Sequence, residues 1–344
     1  MAETLQMSYT SIAIAATIPG VLYYVALGAM VHFEALRRGL PVTPRSELPR
    51  LGAVLKRDLH LLIGPALLVW FLFEGRSPMF AGFWALVVAF LLSWVRKDTR
   101  IGADKVMATL ISSAQAAMPV ALACATVGIV VGVVSTTGLG LKLATGIVGL
   151  AGGSLFVTMV LSMVAALVLG TGLPTSATYI ITAIMAAPAL ELLGVPKLVA
   201  HFFVFYFGIL ADLTPPTAIS TYATASIAGA DVWRTQALGM MLSLSGFIIP
   251  FAYVYDPALL LIGASVPQIV VRTAAATLGV VMLSAALIGY LRRPTRLWER
   301  TLLLAGSFLL IFPGAWSDLA GVACFALVLV SQRARRPAGV VEAA

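Results

Sequence analysis

Gly170-Thr171-Gly172-Leu173-Pro174-Thr175-Ser176 and Asp212-Leu213-Thr214-Pro215-Pro216-Thr217 are two glycine- and proline-rich interruptions set inside apolar sequence. The segments beside them, Ser176 to Leu190 and Leu198 to Ala211, run for 15 and 14 residues. At about 1.5 Å per residue each helix reaches roughly 21–23 Å, short of a hydrocarbon core of about 30 Å. Backbone without helical partners at membrane depth is tolerated only where protein buries it or where it lines a polar cavity. Two such breaks close together predict a site for something polar. The fold class that follows is all-α: a polytopic membrane protein with a re-entrant helical hairpin and a broken transmembrane helix.

Composition agrees with this reading. Of 344 residues 60% are hydrophobic and 10% charged, against about 25% charged in soluble domains. Thr4 to Phe33 carries no Asp, Glu, Lys or Arg and has no basic segment at its start, so it reads as a retained span rather than a cleaved signal. A net charge of +8 would suggest nucleic acid in a soluble protein, but most of the 22 lysines and arginines fall in four clusters: Arg37 to Arg57, Arg96 to Lys105, Arg292 to Arg300 and Arg333 to Arg336. By the positive-inside rule all four lie on the cytoplasmic side. The charge is therefore topology, with lipid as the surroundings and no nucleic-acid partner. Cys124 and Cys324 each sit in an apolar run with no C-x-x-C or clustered histidine, which excludes the usual metal and disulfide frameworks. No H-E-x-x-H and no nucleophile context is present, so no catalytic residue and no cofactor is expected and the chain is not read as an enzyme.

Taken in order, residues 1–105 are N-terminal spans with basic cytoplasmic loops, 106–292 the region with the hairpin and the broken helix, and 293–344 a C-terminal hairpin with a disordered tail. The first span, Thr10 to Met30, should kink at Pro19-Gly20. His60 to Phe73 and Phe80 to Val95 form a hairpin, Gly102 to Met118 an interfacial lead-in, and Pro119 to Thr136 the next crossing. An even number of crossings must separate Lys105 from Arg292. That holds if Leu143 to Leu190 dips in and returns with its tip at Gly170 to Ser176, Leu198 to Ala228 is one broken crossing, and Gln236 to Val254 and Thr273 to Leu291 follow. Thr301 to Ser331, broken at Phe312 to Asp318, makes the last hairpin.

At the first break Gly170 and Gly172 permit backbone conformations closed to other residues, and Pro174 removes a donor. Thr171 adds a hydroxyl. The helix start at Thr175, Ser176 and Thr178 offers free amides and a positive dipole end to an anion, while carbonyls at Leu169 and Gly170 suit a cation. At the second break Pro215 and Pro216 cannot donate, so carbonyls of Leu210 to Leu213 should lack helical partners near Thr214 and Thr217. Asp212, beside the break, is a functional candidate, with a cap or ion-pair role as the alternative. Glu191 and Lys197 flank a turn and read as solvated, His201 as a satisfied interfacial histidine, and the Phe202 to Phe207 run as helix packing. Single breaks of this type are more often kinks than sites; the pair, with hydroxyl-rich flanks, favours a site. Competing readings are a channel-like pore, which would need a polar stripe on continuous helices, and a non-transporting assembly subunit.

Gly170 to Thr175, Ala200 to Phe207, Leu213 to Ala218 and Ile227 to Asp231 together resemble the second repeat of the fused tripartite ATP-independent periplasmic (TRAP) transporter permeases, over about Met1 to Tyr290. The resemblance implies a multi-pass bacterial inner-membrane importer, half of an inverted-repeat elevator, coupled to sodium as a symporter. It implies a small organic acid as solute and a periplasmic solute-binding protein, of TAXI type, as partner. Gly170 to Ser176 would be the tip of the second hairpin, and Leu213 to Thr217 the unwound part of the partner helix. Family members also carry a first repeat with its own Pro-Pro break, and Met1-Ala2-Glu3 looks like the point just after it. The expectation is that the chain transports if a second polypeptide supplies that repeat, and is otherwise a truncated, inactive product.

Overall fold

The computed structural model describes residues 1–41, 44, 46–96, 99–214 and 219–334. Among the described residues there is no strand, only a single bridge between Tyr290 and Pro294, and the protein is an all-α, multi-pass membrane protein. Among the described residues five helices are long and apolar enough to cross a bilayer: Tyr9–Arg38, Ala103–Thr137, Val232–Tyr255, Val266–Ile288 and Ala315–Ala334. The chain divides into two compact units, residues 1–14 with 41–128, and residues 15–40 with 129–344.

In the first unit, α1 (Ala2–Leu5) and α2 (Tyr9–Ala15) lead the chain. α3 (Thr17–Arg38), which belongs to the second unit, follows an interruption at Ala16. The expected kink thus falls three residues ahead of Pro19, where the ring that lacks an N–H meets the preceding turn. α4 (Leu51–Asp58) and a short 3-10 turn lead into α5 (Ile63–Phe73), which packs on α6 (Pro78–Ser93). The hairpin expected here is present. Its turn uses Gly75 at φ +79 and Ser77, whose hydroxyl accepts from the Phe80 N–H at 3.3 Å. Gly64 lets α5 approach Ala85 and Ala89 of α6.

α7 runs unbroken from Ala103 to Thr137 with Pro119 inside it, so the separate lead-in over Gly102 to Met118 is not formed. One proline in a long apolar helix loses a single backbone bond, and flanking turns on both sides keep the helix going.

The second unit holds α8 (Leu139–Leu150), α9 (Leu155–Gly170), α10 (Thr175–Met185), α11 (Ala187–Glu191), α12 (Lys197–Leu210), α13 (Ile219–Ala228), α14 (Val232–Ser243), α15 (Ile249–Tyr255), α16 (Val266–Ile288), α17 (Leu297–Ile311) and α18 (Ala315–Ala334). α12 is central to one half, packing on α9, α10, α11 and α15. Phe203 and Phe207 of α12 stack edge to face with Phe251 of α15 at 5.5 and 5.9 Å, a preferred geometry for buried rings. The other half is a bundle of α3 with α16, α17 and α18 around Met30, Phe33, Met282, Leu303, Leu310 and Val328. Small residues set its spacing: a Cβ on Gly321 would stand 2.5 Å from Leu310 Cγ and 2.9 Å from the Gly306 carbonyl, the close approach membrane helices use where apolar lipid offers no hydrophobic drive.

Candidate functional site

α9 ends at Gly170, and the link to α10 is four residues long. Gly172 sits at φ +74, which only glycine adopts without strain. The Leu173 N–H donates to the Gly170 carbonyl at 3.2 Å, and the first α-bond of the new helix is Thr178 N–H to the Pro174 carbonyl at 3.0 Å. The N–H groups of Thr175, Ser176 and Ala177 stand ahead of that bond, with no side-chain cap from Pro174, and point along the positive end of α10. Thr171, Gly172, Thr175 and Ser176 are exposed, and Leu173 and Pro174 half-buried. The Thr171 hydroxyl turns back to the Leu167 carbonyl at 2.9 Å.

α12 runs out into a single 3-10 turn, Ala211–Leu213. The carbonyls expected to be free there are partly occupied: Leu210 accepts from the Thr214 hydroxyl at 2.9 Å and Ala211 from the Thr214 N–H at 3.1 Å. Thr214, the residue before a proline, is extended (φ −93, ψ 127), as proline demands, and folds its own side chain onto the turn it terminates. Asp212 accepts a hydrogen bond from the Ser220 hydroxyl, so the carboxylate reaches across the break to α13. A carboxylate has more lone pairs than this one bond uses. Asp212, Thr214 and Ser220 are half-buried. Pro215, Pro216 and Thr217 lie outside the described residues.

The two breaks lie together. A Cβ on Gly170 would stand 2.7 Å from Ala211 Cβ, 2.8 Å from Thr178 Cγ2 and 3.4 Å from the Gly208 carbonyl, and one on Gly208 would stand 2.9 Å from the same Thr178 methyl. Gly170 is the last residue of α9 and has no left-handed backbone, so its lack of a side chain serves close packing rather than an unusual turn. The hairpin tip is thus held against the end of α12, one residue from Asp212.

Two polar groupings lie outside the sequence-level site. His201, 2% exposed, has Nδ1 2.7 Å from the Tyr179 hydroxyl and Nε2 3.4 Å from Glu191 Oε1. The histidine is satisfied as expected, but Glu191 is a contact rather than a fully solvated charge. Arg272 Nε donates to Asp256 at 2.5 Å, and Arg272 Nη1 donates to both oxygens of Asp318 at 3.0 and 2.7 Å. Single charges at the ends of apolar spans are the signal that finds this group. Of the aromatic run, Phe203 and Phe207 are packing, while Phe202, Phe205 and Tyr206 line an apolar cavity of about 230 Å³ that also borders Leu210 and Leu213.

A family profile described as "Tripartite ATP-independent periplasmic transporter, DctM component" matches residues 1–269. No curated protein and no solved structure matches the chain.

Proposed function

From the finding that the chain belongs to the DctM component family of the tripartite ATP-independent periplasmic transporters, and is therefore a membrane permease component of a transporter and not an enzyme, we propose that its paired breaks form half of a site for a solute and sodium. The observation that carries this is the seating of Gly170 against Ala211, beside Asp212. On one side stands the start of α10, whose leading amides and positive dipole end suit the carboxylate of a small organic acid. On the other side stand the Asp212 carboxylate and the Thr171 and Thr214 hydroxyls, hard oxygens of the kind a sodium ion takes. Thr171, Gly172, Thr175 and Ser176 of the tip are exposed, which supports completion of the site by a first repeat of the transporter. In this reading the protein sits in the bacterial inner membrane, works by an elevator motion and receives its solute from a periplasmic binding protein of TAXI type. A continuous pore is disfavoured because neither the α9–α10 hairpin nor the α12–α13 segment is a continuous helix at the site.

The test is radioactive sodium uptake into vesicles containing the chain, the partner half and the binding protein. Asp212→Asn and Thr214→Ala should each cut solute-dependent sodium uptake at least tenfold with normal protein levels. Unchanged uptake in both removes the site assignment.

A further inference from the structure

We infer that His201 is a positioning residue for the hairpin: the contact chain Tyr179–His201–Glu191 fixes α10 on α12 and so sets where the start of α10 presents Thr175 and Ser176. The consequence for transport rests on the site reading above; the mechanical claim does not.

α10 has 11 residues and no side-chain N-cap, so it has little intrinsic means of holding its own first turn. Its anchors are tertiary. Thr178 fits the notch left by Gly170 and Gly208, a contact without direction. Tyr179 supplies direction: its ring meets Phe205 edge to face at 5.7 Å, and its hydroxyl lies 2.7 Å from His201 Nδ1. Tyr179 is 7% exposed and His201 2%, so water does not readily replace either partner, and losing the bond costs more than it would at an exposed site.

His201 Nδ1 shares a hydrogen bond with the Tyr179 hydroxyl in which the donor is set by the imidazole tautomer, and Nε2 faces Glu191 Oε1 at 3.4 Å. Three elements, α10, α11 and α12, are thereby joined by one set of contacts. Tyr179 follows Thr175 and Ser176 by four and three residues, which puts them on the same side of the helix. Rotation or sliding of α10 that moved the site amides would have to break the tyrosine–histidine bond.

Hydrogen exchange of the full chain in lipid nanodiscs tests this, with α16 to α18 as an internal reference. Tyr179→Phe, which deletes one oxygen, and His201→Leu should raise exchange in the first two turns of α10 about five- to tenfold, the population change expected for one buried hydrogen bond. The α16 to α18 reference should not change. His201→Gln, able to accept at Oε1 and donate at Nε2, should stay near the wild type. Unchanged exchange in Tyr179→Phe overturns the inference, as does a rise in His201→Gln equal to that in His201→Leu. Repeating the wild type, assembled with the partner half that completes the site, in sodium chloride and choline chloride separates the two readings. Absence of sodium protection at residues 170–176 counts against the site and leaves the exchange result standing, whereas sodium protection with no effect of Tyr179→Phe leaves the site and removes the positioning role.

Discussion

Gly208 faces Thr178 across the contact between α10 and α12, and a methyl added there would stand 2.9 Å from the Thr178 Cγ2 methyl, the closest group to it. Gly208→Ala should therefore destabilise the protein by about 1–3 kcal/mol, the usual range for overpacking. Thr178→Ser removes that methyl and keeps the hydroxyl, so the double variant should recover most of the loss in thermal unfolding of the detergent-solubilised chain. Gly170→Ala should behave differently, because its added Cβ also meets Ala211 Cβ at 2.7 Å, and Thr178→Ser should rescue it only in part. Equal rescue of both glycine variants would show that the hairpin tip is not held against α12 as described. Part of this was legible in the sequence and part was not. Gly172 is needed for its backbone, and a glycine ahead of Leu-Pro signals that. Gly170 and Gly208 are needed for what lies across from them, and a partner 30 or more residues away leaves no local mark. His201 and Glu191 illustrate the same limit, since each looks like an ordinary residue near a turn until folding places His201 between Tyr179 and Glu191.

Among elements, those bounded by glycine and proline were the most readable. The α5–α6, α9–α10 and α17–α18 hairpins all end where backbone donors are removed or positive φ is required. The elements that departed from expectation involve a single proline. At Pro19 the helix gives way at Ala16, whereas at Pro119 α7 continues, and one residue type gives both outcomes because neighbouring turns and packing decide whether the lost bond matters. Arg272 is an element-scale device of another kind. It ties the α15–α16 connection, through Asp256, to the first turn of α18, through Asp318, with side chains 13%, 15% and 22% exposed. Arg272→Met leaves two partly buried carboxylates facing each other and should cost roughly 2–4 kcal/mol. Adding Asp256→Asn and Asp318→Asn should return much of that, because removing all the charges of a buried ion group is far less damaging than removing one. Limited proteolysis at the α17–α18 hairpin reads the difference; a single variant as resistant as the wild type would mean the bridges contribute nothing.

For the molecule as a whole, the membrane sidedness rests on basic clusters and on how many times the chain crosses. Between Lys197 and Leu297 the second unit contains the broken pair α12 and α13, then Val232–Tyr255, then Val266–Ile288. If the broken pair counts as one crossing, three crossings separate the two residues and they face opposite sides. Arg292, Arg293, Arg296 and Arg300 surround Leu297 and assign that end to the cytoplasm, which leaves Lys197 outside. Both residues are exposed, so each can report by cysteine labelling in a background with Cys124 and Cys324 replaced by alanine. Lys197→Cys should react with a membrane-impermeant maleimide in intact spheroplasts, and Leu297→Cys only after the membrane is opened. Labelling of both from the same side would mean that α12 and α13 together enter and return instead of crossing. The second break would then sit at the apex of a dip, and the opposition of one hairpin and one broken helix, on which the half-site depends, would be lost. Labelling from opposite sides leaves the break within a crossing, where an interrupted backbone has to be satisfied by protein or by a polar guest.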